Sequence, residues 1–150
     1  MASFSKSGNG DKAAEGLSQA PERFRLGLRD AANMVGQMLV RRTQQGMRDG
    51  PQSGRTYPNL KRQSSAPGEY PAIQSGQLVG SLGYEVHGAN RMEFGSRGAF
   101  NRGFDYAVGQ HEGTSKMGPR PYLTLTVDKE RGMIERTLGT VTWQKIIGGA

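Results

Sequence analysis

Four prolines between Asp49 and Gly76, namely Pro51, Pro58, Pro67 and Pro71, set the first limit on what this chain can fold into. Proline has no N–H to give to a helix or a sheet ladder and fixes its own φ, so no helix or central strand crosses the segment. Its densest part runs into "SSAPGEYPAIQSGQLVGSL", residues 64–82, which holds two prolines, three glycines and four serines. A long connection therefore divides the chain, and connections beyond about 15 residues without structure of their own are usually functional or disordered.

Periodic segments lie on both sides of it. Upstream, Phe24, Leu28, Ala31, Val35 and Met38 recur at spacings of four and three, with Met34 and Leu39 beside them. This predicts an amphipathic helix that starts near Pro21 and Glu22, which suit a first turn, and ends near Met47, before Gly50 and Pro51. Gly27 and Gly36 weaken it by roughly 1 kcal/mol each relative to alanine, so tertiary contact must hold it, and small residues admit a close neighbour. Residues 1–17, rich in Gly, Ser, Lys and Ala without a period, read as a flexible arm.

Downstream, Leu82, Tyr84 and Val86 alternate, "HGAN" supplies turn residues, and Met92 and Phe94 alternate again, which predicts a β-hairpin with one buried face. The glycine-rich link "RGAFNRG" follows, and "FDYAVGQHEGT" reads as a short helix closed by Gly113 in the left-handed conformation. "RPYLTLTVDKERGMIERTLG" has two readings: "YLTLTV" alternates like a strand, while Leu123, Val127, Ile134 and Leu138 keep helical spacing. Pro121 at a first helical position favours the helix. Residues 141–150 read as a tail that adds a strand or lies against a partner. The expected architecture is one α+β domain over residues 18–140, with the two helices packed on a small antiparallel hairpin.

The 150 residues include 23 glycines, 34% hydrophobic residues and no cysteine, so the core is modest and the loops long. Without cysteine, disulfides and thiolate metal sites are excluded, which suits an intracellular origin or a particle assembled in cytosol. No run of about 18 apolar residues exists to span a bilayer, and "MASFSKSGNGDK" lacks the apolar middle of a signal peptide; the expectation is a soluble, unsecreted protein with no membrane partner. The net charge of +7 sits in one segment. From Arg23 to Arg62 there are nine basic residues, Arg23, Arg25, Arg29, Arg41, Arg42, Arg48, Arg55, Lys61 and Arg62, against Asp30 and Asp49, while the rest of the chain carries eleven of each sign. Such a concentration is either a solvated helix face or a surface for nucleic acid, anionic lipid or an acidic protein.

Candidates for chemistry are few. His87 falls in a predicted turn, where it bonds locally or faces water. His111 beside Glu112 is half a metal site, but neighbours on a helix point about 100° apart and no third ligand is spaced to join them. No Walker loop, nucleophile elbow or zincin signature is present, and the glycines of "GSRGAFNRG" lack phosphate-cradling spacing. The residues argue against an enzyme and call for no cofactor. With 7% aromatics and no nucleic-acid-binding signature, basic residues alone would give sequence-independent, salt-sensitive binding, as in a channel wall.

Four motifs occur in order. A Ser-Ala-Pro-Gly-Glu-x-Pro-Ala loop falls on Ser65, Ala66, Pro67, Gly68, Glu69, Pro71 and Ala72, and a Ser-Gly-x-Leu-x-x-Ser step on Ser75, Gly76, Leu78 and Ser81. A Tyr-Ala element ending in Glu-Gly-Thr falls on Tyr106, Ala107, Glu112, Gly113 and Thr114, and an Arg-Pro-(aromatic)-Leu start on Arg120, Pro121 and Leu123. In this order, over roughly residues 20–140, the chain resembles the small head-tail joining proteins of tailed bacteriophages, also called neck, connector or tail-completion proteins. It departs from them in lacking an aromatic between Glu112 and Gly113. The resemblance implies a structural virion protein assembled in the host cytoplasm, with copies in a ring between head and tail. Its neighbours there would be portal, adaptor or head-closure proteins, or tail-terminator or tail-tube proteins. It also implies that the 64–82 loop becomes ordered by contacts made on assembly. Arg41, Arg42, Arg48, Arg55, Lys61 and Arg62 would then face either DNA in the channel or an acidic face of an adjacent ring. A basic, sequence-independent DNA-binding protein acting in packaging or protection is the alternative.

Overall fold

The computed structural model describes residues 9–101 and 103–148, and its fold is α+β. A long helix α1 (Asn9–Asp49) runs antiparallel to α4 (Tyr122–Gly148), as their contacts show: Gly27 faces Thr142 and Thr43 faces Thr126. The main buried row on α1 is Gly27, Ala31, Val35, Leu39, Thr43 and Met47, each four residues from the last, with Gly36 buried beside Val35. Four residues turn a helix about 40° past a full turn, so this row winds across the surface. It meets α4 from Gly27, against Thr142, to Thr43, against Thr126, and near the C-terminal end of α1 Gly46 also meets Tyr70 of the loop. Phe24 (46% exposed) and Met34 (54% exposed), expected in a straighter stripe, are left outside.

α1 begins earlier than expected. Residues 9–17, read as part of a flexible arm, are helical, and Pro21 lies inside the helix instead of in its first turn. Lysine, alanine and glutamate favour helix here, and side-chain links one turn apart, Gln19 to Glu15 and Arg23 to Gln19, carry it across the proline. Residues 1–8 lie outside the described residues. At the other end, α4 is one helix through Gly148, so residues 141–148 are neither strand nor tail. The helical reading of "YLTLTV" prevails because Tyr122 and Thr126, one turn apart, both bury against α1 and the loops.

Three glycines of α1 mark where the fold presses on it. A Cβ on Gly27 would sit 2.9 Å from the Thr142 backbone, one on Gly46 2.7 Å from the Tyr70 ring, and one on Gly36 would overlap the Tyr84 ring. The close neighbour that the sequence leaves room for is thus this chain itself. A buried hydroxyl cluster pins the same junction. Thr43 Oγ lies 2.9 Å and Tyr70 Oη 3.1 Å from Thr126 Oγ, which in turn donates to the Tyr122 carbonyl at 2.9 Å. Thr43 Oγ also lies 2.8 Å from the Leu39 carbonyl, so its single proton serves either that oxygen or Thr126, while Thr126 can accept from Tyr70.

The helix α2 (Gln77–Ser81) leads into the hairpin of β1 (Leu82–His87) and β2 (Arg91–Ser96), in which Tyr84 opposes Phe94 and Val86 opposes Met92, as the alternation predicts. The link after it contains a two-residue pair, β3 (Phe100–Asn101) and β4 (Phe104–Asp105), and then α3 (Tyr106–Glu112). Asp105 caps α3 by accepting from Ala107 N at 3.0 Å. The main core joins Met47, Tyr70, Leu78, Leu82, Ala99, Ala107 and Tyr122.

Candidate functional site

The four sequence motifs converge on one end of the helical pair. Arg120, just before α4, is 9% exposed, and its guanidinium reaches across 55 residues of sequence to Ser65. Its Nη2 donates to the Ser65 carbonyl at 2.6 Å and its Nε to Ser65 Oγ at 2.7 Å. Burial pushes the Arg120 pKa down and the Glu69 carboxylate opposes that shift, so the group stays charged. Alongside, Gly68 N donates to the Pro119 carbonyl at 2.9 Å and Pro67 lies against Gly118.

Glu69 closes the loop on itself. It accepts from the Ser53 hydroxyl, from Ser53 N at 3.2 Å and from Ala66 N at 2.7 Å. These bonds, the Ser53 hydroxyl foremost, hold its pKa below the ordinary 4.5. The loop is therefore anchored within a single chain by Arg120, Pro119 and Ser53. Ser65, Ala66, Gly68 and Glu69 thus have hydrogen-bond partners within one chain, before any contact made on assembly. What stays outside this anchorage is the tip between Gly54 and Ser64, closed by Gly54 N to the Ser64 carbonyl at 2.8 Å.

The other motif residues have structural work too. Leu78 and Ala107 belong to the core; Gly76 (φ +81°) precedes α2, and Ser81 Oγ lies 2.6 Å from Ser96 Oγ. Leu123 approaches Gly95, and Pro121 O accepts the first helical bond of α4, from Leu125 N at 2.8 Å. Gly113 ends α3 with φ +84° and ψ 177°. The positive φ is as expected, but the ψ is not that of the left-handed cap; it belongs to a region open essentially to glycine alone. Glu112 and Thr114 are exposed, Thr114 pairing with Met117 across the following turn.

Between the loop and α3 lies a cleft of about 530 Å³, with Met47, Ile73 and Leu78 in its lining, together with Pro71, Ala72, Ser75, Gly76 and Tyr106 of the motifs. Among the described residues no charged side chain lines it. Gln110, one helical turn after Tyr106, also contributes, and its buried Oε1 has no hydrogen-bond partner among the described residues. Sequence reasoning missed Gln110; the signal was its i+4 spacing from Tyr106.

Arg41, Arg42, Arg48, Arg55, Lys61 and Arg62 are all exposed. Arg42 is partnered, 3.3 Å from Glu130 on α4, and Arg55, Lys61 and Arg62 sit on the 54–64 tip. His111 packs edge-on to the buried Tyr122 ring, at 5.3 Å and 83°, and burial pushes the Tyr122 hydroxyl up to about 12. His87 faces Glu93 at 3.5 Å on the exposed hairpin. Among the described residues no three His, Cys, Asp or Glu side chains are placed to hold a metal together, and no helix is long and apolar enough to cross a membrane. Set against protein-family models, curated proteins and solved structures, the chain matches none.

Proposed function

We propose that this chain is a structural subunit of the head-tail interface of a tailed bacteriophage, acting without catalysis as one copy in a ring that joins the DNA-filled head to the tail. The observation that carries the reading is the Arg120–Ser65 clamp. Two motifs of the resemblance, 55 residues apart, form one hydrogen-bonded unit, and a second pair, Gly76 with Tyr106, lines one cleft beside it. Electron microscopy of lysates from a phage lacking the gene tests the reading. DNA-filled heads beside unattached tails, rescued by the gene in trans, support joining, and intact infectious particles refute it.

The second reading, a basic protein that binds DNA without regard to sequence in packaging or protection, is favoured by five exposed cations of the 41–62 segment that form no ion pair with a described residue: Arg41, Arg48, Arg55, Lys61 and Arg62. Its signature is duplex binding that weakens steeply with salt. Empty heads in the deletion lysate, together with such binding, would favour it over joining.

A further inference from the structure

Trp143, the chain's single tryptophan, lies on α4 with 60% of its surface exposed, and Ile147 one turn on is exposed beside it. An indole is a donor only, and its N–H has no hydrogen-bond partner among the described residues. The cleft beside α3 offers the complement: among the described residues its lining is uncharged and mixed, apolar at Met47, Ile73 and Leu78 and polar at its glutamines, and it holds an acceptor, Gln110 Oε1, that lacks a donor. A volume of about 530 Å³ admits an indole with room for its neighbour. The torsion that carries the Gln110 carboxamide is broad and soft, so its oxygen turns into the cleft at little cost.

Trp143 cannot reach the cleft of its own chain. Its neighbour Thr142 packs at Gly27, while Met47 lines the cleft, and twenty residues of helix span roughly 30 Å. We infer that Trp143 of one copy inserts into the cleft of a second copy, its indole N–H donating to Gln110. Knob and hole at opposite ends let this contact run head-to-tail into a ring or filament, or pair reciprocally in an antiparallel two-fold dimer; the ring reading requires the first, and the mass of the wild-type assembly separates the two. The inference deepens the ring reading proposed above by naming its contact. It is read on purified protein and so fails separately from the deletion phenotype.

The single tryptophan makes the test direct. Wild-type chain is followed by sedimentation velocity and tryptophan emission across a micromolar-to-millimolar series. Association accompanied by a blue shift and by protection from acrylamide is expected. Trp143→Glu and Ile73→Glu should each leave the chain monomeric, yet a 1:1 mixture should form a heterodimer and go no further, through one intact knob and one intact cleft. Gln110→Leu, which keeps volume and removes the acceptor, should weaken association roughly tenfold without lowering the melting temperature, and it serves if Ile73→Glu fails to fold. The inference is overturned by a wild-type chain that stays monomeric, by association that leaves Trp143 exposed to acrylamide, or by Gln110→Leu that associates as wild type.

Discussion

Replacing Arg120 with methionine removes the link between the two halves of the candidate site while keeping most of the side chain's volume. Two charge-assisted contacts to Ser65 are lost, at 2.6 and 2.7 Å, each worth about 1.5–3 kcal/mol. Ser65 is 3% exposed, so its carbonyl and hydroxyl are left buried without those donors, which adds about 1–3 kcal/mol. Against this, the protein no longer has to desolvate a guanidinium, a saving of several kcal/mol. The balance is a loss of about 3 kcal/mol, or about 6–12 °C in melting temperature for a domain of this size. Urea unfolding followed by circular dichroism measures it. Ser65→Ala alone should cost about 1 kcal/mol, and the double variant should show coupling of at least about 1 kcal/mol. Arg120→Lys keeps the charge without the planar fork and should recover less than half of the loss. A loss below about 1 kcal/mol for Arg120→Met, or full recovery with lysine, would refute the clamp as the fastening of the loop.

Other substitutions probe other joints. Gly113→Ala should cost about 3 kcal/mol in equilibrium unfolding, because φ is +84° and a Cβ would lie 2.9 Å from both Met117 O and Pro119 N. Gly36→Ala should destabilise by about 1–3 kcal/mol through overlap with Tyr84, despite a gain of about 1 kcal/mol in helix propensity, while Gly132→Ala, with open space around it, should stabilise by up to about 1 kcal/mol; equal effects at the two sites would remove the packing argument. Glu69 has a folded-state pKa below its ordinary 4.5, so its contribution is complete above 4.5 and is lost as pH falls through the folded value. Urea midpoints of wild type should therefore drop on the acid side of 4.5, and Glu69→Gln should be less stable near neutrality and flatter in acid.

Much of the fold is legible in the residues themselves. Alternation at Leu82, Tyr84 and Val86 reads directly as the hairpin, and Asp105 before "YAVGQHE" is an ordinary helix cap. The winding of the buried row is not legible, because two of its members, Gly27 and Thr43, are not apolar and a hydrophobic pattern passes over them. The early start of α1 is hidden for another reason. Pro21 is a stronger break in local rules than in this helix, where surface links bridge it. Within the site, the motif residues are recognisable, but not the clamp: burial of Arg120 depends on a carbonyl 55 residues away, a distance no local pattern reports. The glycines and prolines of the 64–82 loop look like preparation for a partner. Part of the stretch also fits the loop to its own chain, through Pro67 on Gly118 and Gly68 on Pro119.

The most direct test of the structural reading is electron cryomicroscopy of the neck of the intact virion. Copies of this chain are expected in a ring between head and tail, with the Arg120–Ser65 clamp buried within each chain and the α3 cleft filled by an adjacent subunit. A purified particle with no copy of the chain at its head-tail junction would contradict it.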